Sequence, residues 1–268
     1  MRRIAFIVLL GLLCLGRADA FWQSRDSNYN INIASGGACS GWTPATPSGL
    51  IGWYNADSAN VSPNTNGSTV TVMTDLSSGA HNMAPNGYSG PVYNTTGLGG
   101  KPALVFAGGN ATGMRTSSDV VTVGTGSSSS IFMLASFLVA STGGPYIAGN
   151  GQGGSQGAGN TVSWLFYTAG SVPDIEMNHA YGTYGSGAVS LGTEQRLGIV
   201  ATSGVVTPYV NNVAGTPGSP PAFSFTSPGT LGAASGPFAG TIRELIFYNT
   251  ALGSTDRGCM DAYLVSRE

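Results

Sequence analysis

The sequence predicts an all-β sandwich or barrel with one short C-terminal helix, and three observations lead there. Only 8% of the 268 residues are charged, against about 25% in an ordinary soluble domain, which excludes helix bundles and coiled coils with their charged faces. Glycine is abundant, with 42 residues, and together with Pro, Asn and Ser it punctuates the chain into short segments. Between those clusters lie short apolar or alternating runs with no helical period among them, the pattern of many short strands rather than of βαβ units. The 41% of apolar residues suffice for a core, and a net charge of −2 is too small for charge-driven disorder.

Residues 1–20 combine Arg2-Arg3, an apolar run over 4–15 and Ala18-Asp19-Ala20. This order reads as a secretory signal peptide cleaved after Ala20, and the run is too short to span a bilayer. Cys14 follows Leu13, where the lipoprotein signal that this stretch looks like has a small residue, so it is read as part of the signal. Residues 21–48 are polar and aperiodic, a leader or linker, and 49–268 form the domain. Its strands are expected at 50–54, 69–73, 103–106, 120–123, 131–139, 162–167, 196–201, 205–210 and 241–248. In the last segment Ser254 is placed to cap a helix with Asp256 in its first turn, and Cys259, Met260, Tyr263 and Leu264 make an apolar stripe that turns Cys259 inward. No run in the remaining chain is long enough to cross a membrane.

Of the 10 basic and 12 acidic residues, Arg2, Arg3, Arg17 and Asp19 lie in the signal, so the remainder carries a net charge near −4 and a single lysine, Lys101. That balance offers no electrostatic route to nucleic acid or anionic lipid. Two cysteines remain, Cys39 and Cys259. An even count in an oxidising compartment is consistent with a disulfide, and two unpaired thiols are the alternative. A bridge would close a loop of 220 positions, the long-loop regime in which the unfolded-state entropy term reaches about 4–5 kcal/mol.

Five blocks resemble the laminin-G-like branch of the concanavalin A-like lectin/glucanase superfamily. Pro47-Ser48-Gly49-Leu50-Ile51-Gly52-Trp53-Tyr54-Asn55-Ala56-Asp57 is similar to its opening strand, and Asp75-Leu76-Ser77-Ser78-Gly79-Ala80-His81-Asn82 to a turn. Gly100-Lys101-Pro102-Ala103-Leu104-Val105-Phe106-Ala107-Gly108 resembles a further strand, and Val205 to Asn212 one ending in Tyr-Val-Asn. The stretch from Phe238 to Leu252 resembles the closing strand that leads into the helix. The blocks occur in family order and imply a two-sheet antiparallel jelly roll over 47–268. Physics agrees: Trp53 and Phe106 fall in strands that fill the space between sheets, and the glycine pairs at 99–100 and 108–109 supply positive-φ turns. Ile242, Leu245 and Phe247 break strict alternation, as a strand covered on both faces would.

The superfamily includes β-glucanases with a Glu-x-Asp-x-Glu strand, whose alternation puts the acids on one face. In Val172-Pro173-Asp174-Ile175-Glu176 the first acid is missing, and Pro173 is unwelcome in a central strand, so no catalytic residue is assigned and an exposed loop or edge strand is expected. Gly149-Asn150-Gly151-Gln152-Gly153-Gly154 and Gly153-Gly154-Ser155-Gln156-Gly157 satisfy a dinucleotide and a hydrolase pattern without the strand-turn-helix context either needs, and read as a flexible loop. His81 and His179 lie in separate blocks, too few for a zinc cluster. Asp57, Asp75 and Asp119 are weak candidate calcium donors, with turn capping as their alternative role. Four Asn-x-Ser/Thr sequons, at Asn60, Asn66, Asn94 and Asn110, matter only in a eukaryotic secretory pathway.

Carbohydrate binding needs aromatic faces beside amides and carboxylates. Tyr167, Asp174, Glu176, Asn178, His179, Tyr181 and Tyr184 are that mixture, with Trp164 and Phe166 assigned to the core; the alternative is that all these aromatics only pack. The expectation is therefore a secreted, non-enzymatic module, extracellular or periplasmic, that binds a glycan or a surface protein. No cofactor is required, calcium is the candidate ion, and oligomeric state is left open. The alternative is a structural or assembly component of a cell surface or virion, with 21–48 as docking segment.

Overall fold

The computed structural model describes residues 39–85, 87, 89–108, 112–124, 128–138, 146–149, 163–169, 172–177, 180–182, 190–202, 204–219, 224–232 and 238–268. Residues 1–38, which include the stretch expected to be a signal and most of the expected leader, and the glycine-rich run at 150–159 lie outside them. Met1–Gly41 and Trp42–Glu268 are separate units. The second begins ahead of the expected boundary at 49 because Trp42 and Pro44 are packed: Tyr248 Oη donates to the Pro44 carbonyl at 2.6 Å, and Trp42 Nε1 to Asp256 Oδ1 at 3.2 Å.

The strands are β1 (Leu50–Asn55), β2 (Val61–Ser62), β3 (Val72–Met73), β4 (Met83–Ala84), β5 (Val92–Asn94), β6 (Ala103–Ala107), β7 (Gly113–Gly124), β8 (Ser129–Phe137), β9 (Tyr146–Gly149), β10 (Ser163–Ala169), β11 (Val172–Met177), β12 (Ala180–Gly182), β13 (Glu194–Thr202), β14 (Val205–Val210), β15 (Val213–Ala214), β16 (Ser224–Gly232) and β17 (Ala239–Tyr248). One helix, α1 (Ser254–Arg267), follows. The eight-stranded sheet runs β15-β14-β13-β8-β17-β6-β5, with β1 also paired to β17; the five-stranded sheet runs β16-β7-β4-β3-β2. A four-stranded sheet, β12-β11-β10-β9, stands with β9 beside β16. The strand pairings are antiparallel throughout, and the architecture is the expected β-sandwich with a short terminal helix.

Two apolar cores hold it. Leu104, Phe106, Ile131, Met133, Leu245 and Phe247 of the large sheet meet Val61, Met73, Met83 and Met114 of the five-stranded sheet. On the other face Phe132, Leu134, Val200, Ile246 and Tyr248 meet Met260 and Leu264 of α1. The central strands β8 and β17 are consequently buried on both faces and read as continuous apolar runs. The broken alternation of Ile242, Leu245 and Phe247 has a second cause, a β-bulge: the register with β8 shifts between Ile242 and Glu244, which advances the following residues by one. Trp53 differs from its expected place. It packs half-buried with the helix-side core, while Phe106 fills the space between the sheets. Gly240 tolerates no side chain, because a Cβ there would lie 2.0 Å from the Ser136 carbonyl oxygen.

The helix starts one residue earlier than the Ser254 cap expected from the sequence. Gly253 is the N-cap and contributes no side-chain hydrogen bond, while Asp256 occupies the first turn as anticipated. Cys259, Met260 and Leu264 are buried, and Cys39 and Cys259 are joined in a disulfide. The seat of α1 is ionic as well as apolar. Glu244, wholly buried, accepts hydrogen bonds at Oε1 from Trp53 Nε1 and Tyr263 Oη, both 2.6 Å, and at Oε2 from Arg267 Nε at 3.1 Å. Burial pushes its carboxyl upward, and the bonds from Tyr263, Trp53 and Arg267 oppose that shift. Arg267 Nη2 also meets Asp57 Oδ1 at 2.7 Å.

Two outcomes follow for stability. Reducing the disulfide, or replacing Cys259 by Ala, is expected to lower unfolding free energy by about 2–5 kcal/mol in urea titrations, as a long closed loop requires. Glu244→Ala strands two donors and a guanidinium in a dry site and is expected to cost about 3–5 kcal/mol, read as a lower denaturation midpoint at unchanged slope.

Candidate functional site

Four of the seven residues expected to bind sugar, Tyr167, Asp174, Glu176 and Tyr181, lie in the four-stranded sheet. In the β10–β11 ladder Tyr167 pairs with Asp174 and Leu165 with Glu176. In the β11–β12 ladder Glu176 pairs with Tyr181 and Ile175 with Gly182. Cross-strand partners share a face, and residues two apart on a strand do too. Tyr167, Asp174, Glu176 and Tyr181 therefore lie on one face of three adjacent strands, and Phe166 and Ile175 on the other. Asn178 and His179, between β11 and β12, and Tyr184, beyond β12, lie outside the described residues.

The 172–176 segment is neither a loop nor a simple edge, contrary to the expectation drawn from Pro173. Strand β11 lies between β10 and β12. Pro173 pairs with Thr168 of β10, and among the described residues the β12 ladder covers Ile175 to Met177. A tight hairpin could have been read from the sequence: two residues, Gly170-Ser171, separate Ala169 from Val172, a turn composition that joins antiparallel strands.

Two of the carboxylates considered for calcium, Asp75 and Asp57, are used by the chain. Asp75 Oδ1 accepts from the Trp53 and Ser77 N–H groups at 3.0 and 2.8 Å, and Oδ2 from Ser77 Oγ and the His81 N–H at 2.8 and 2.9 Å. This is the turn-capping role. Asp57 is held by Arg267, and Asp119 lies in β7 opposite Pro228. Among the described residues there is no group of three or more His, Cys, Asp or Glu arranged for a metal.

Sequence reasoning missed a charged cluster beneath the end of α1. Arg196 Nε donates to Asp261 Oδ1 at 2.7 Å, and its Nη1 pairs with Glu268 Oε1. Arg243 Nε stands 2.9 Å from Glu194 Oε1, while its Nη1 donates to the Arg267 and Glu268 carbonyls at 2.6 and 3.1 Å. The signal was the pair Arg243-Glu244 inside an apolar strand, since charges so placed need partners from elsewhere in the fold. Near them Tyr263 packs against both Trp42 and Trp53, at 6.5 and 6.1 Å between ring centroids. Each of these ions is committed to seating the helix.

No protein-family model matches the chain, and no curated protein does. Solved structures match in fold. The Trypanosoma rangeli sialidase in complex with sialic acid superposes with a TM-score of 0.54 at 13% identity, over 97% of this chain and 40% of its own. An arabinofuranosidase complexed with arabinofuranosyl-α-1,2-xylobiose gives 0.57 at 14% identity over 83% and 60%. A mutant α-L-arabinofuranosidase of glycoside hydrolase family 54, soaked with 4-nitrophenyl α-L-arabinofuranoside, gives 0.59 at 14% identity over the same shares. The chain thus spans about two fifths of the sialidase's length, and at such identity the likeness is one of fold. It goes against the expectation of a non-enzymatic module or rigid assembly block: the sialidase and arabinofuranosidases named here are carbohydrate-active enzymes, so an incomplete Glu-x-Asp-x-Glu strand was insufficient reason to set catalysis aside.

Proposed function

We propose that the chain is a glycan-acting domain of the glycoside-hydrolase class, with the Tyr167, Asp174, Glu176 and Tyr181 face of β10–β12 as its substrate surface. The observation that carries this reading is the register, which sets two carboxylic acids on one strand between two tyrosines. Residues two apart on a strand are about 6.6 Å apart along it, and glycoside hydrolysis uses carboxyl pairs about 5–9.5 Å apart. One acid protonates the glycosidic oxygen as the bond breaks. The other attacks the anomeric carbon or draws a proton from the attacking water, and the tyrosine rings stack on the sugars to either side. No metal step is needed. Mounting both acids on a paired strand fixes their separation more firmly than a loop would. The laminin-G-like resemblance belongs to the same reading, and so does secretion, which the signal-like start and the Cys39–Cys259 disulfide support. Among the described residues no helix is long and apolar enough to cross a membrane.

Purified chain incubated with arabinosides, sialosides and β-glucans is expected to release reducing sugar or sialic acid from at least one class. Asp174→Asn and Glu176→Gln are each expected to lower that rate about 10²–10⁴-fold with unchanged melting temperature. No release from any class, or full activity in both variants, would overturn the proposal.

A further inference from the structure

The sugar face has a charge pattern that narrows its substrate. Between Arg115 and Arg196 the sequence contains no lysine or arginine, and that stretch includes all four strands of the β9–β12 sheet. Lys101, Arg196, Arg243, Arg257 and Arg267 gather about α1 and are engaged there. Lys101 Nζ holds the Ser266 carbonyl at 2.9 Å, Arg196 pairs with Asp261 and Glu268, and Arg243 holds the Arg267 and Glu268 carbonyls. The Arg257 guanidinium lies 4.4 Å over the Tyr209 ring, and Arg267 meets Glu244 and Asp57. Arg115 stands in the five-stranded sheet, opposite Ala84 and Thr230, and Arg25 lies outside the described residues. We propose that this face, given the hydrolase reading on which the proposal rests, takes uncharged glycans and turns away anionic ones, sialosides and uronates among them.

Proteins recognise a carboxylate best with a guanidinium fork or an ammonium group. The register here sets two acids on one strand face, and no lysine or arginine shares their sheet. Even with one acid protonated to serve the leaving group, the other keeps a negative charge. A sugar carboxylate brought beside it meets like-charge repulsion, which strengthens as the substrate displaces water. Neutral hydroxyls meet no such conflict, because they donate to a carboxylate, and the apolar faces of a sugar ring suit tyrosine. His179 is the one histidine between Arg115 and Arg196, and an ordinary imidazole is uncharged at pH 8.

Matched glycan pairs that differ in charge test this with the whole chain at pH 8 and low salt: β-glucan against its C6-oxidised, carboxylated form, and a sialoside against its carboxamide. Release is expected to favour the neutral member of a cleaved pair about 100-fold, and the preference is expected to shrink to about tenfold in about 0.5 M salt as the charges are screened. Affinity electrophoresis on the same pairs gives a second readout. The wild type is expected to be retarded by the neutral member alone, and the double variant Asp174→Asn, Glu176→Gln to be retarded by both members within about threefold. Equal rates within a pair, a preference for the carboxylate, or a preference that salt leaves unchanged would each overturn the proposal while the hydrolase reading stands. No release and no retardation with any pair would defeat the hydrolase reading and this proposal with it.

Discussion

The structure depends on the burial of β17 on both faces. This strand pairs with β8 along one side and with β6 and then β1 along the other, while its alternate residues enter the sheet–sheet core and the helix-side core. A strand so placed has no route to water for a charge, yet it carries Arg243 and Glu244 in succession. Unpaired, each would cost several kcal/mol. The bulge at Arg243, the position of Trp53 on β1 and the residues of the last helical turn all answer that demand. Trp53, Tyr263 and Arg267 satisfy Glu244, and the carbonyls of Arg267 and Glu268 engage Arg243. The helix is therefore more than a cover for apolar surface. It supplies Arg267 as the counter-charge to Glu244 and carbonyls to Arg243, whose neighbouring anion, Glu194, comes from β13, and the Cys39–Cys259 bond restrains it covalently.

This arrangement divides labour across the sandwich. The scarce charges of the chain, including Asp57, Glu194, Arg196, Asp261 and Arg267, are concentrated on the helix side and spent on seating α1. The sheet of β9–β12 stands in a different ladder, and Asp174 and Glu176 occupy alternate positions of its strand β11.

Much of this was legible in the sequence, because the features involved are local. Turn residues and short apolar runs located β1, β6, β8, β10, β13, β14 and β17, and the stripe of Cys259, Met260 and Leu264 located the buried side of α1. The two-residue strands β2, β4 and β15 were not legible, since they are defined by their partners and carry no period of their own, whereas β3 falls at the end of the run expected at 69–73. The ion network was hidden for a similar reason: Asp57 and Arg267 are 210 positions apart and meet only in the fold. The candidate site was half legible. Its residue types stood out between 164 and 184, but the register that sets Tyr167 beside Asp174 and Tyr181 beside Glu176 arises from two tight hairpins. Pro173 pointed away from a strand interior, yet it lies in β11 opposite Thr168.

Carboxyl footprinting tests the central claim most directly. Carbodiimide-activated coupling of glycine ethyl ester, mapped by peptide mass spectrometry with and without a hydrolysed oligosaccharide, reports which acids face solvent and which lie under sugar. The account predicts ready labelling of Asp174 and Glu176, protection of both when the glycan is present, and no labelling of Glu244 in either case. Asp174 and Glu176 as refractory as Glu244, or labelled equally with and without glycan, would contradict it.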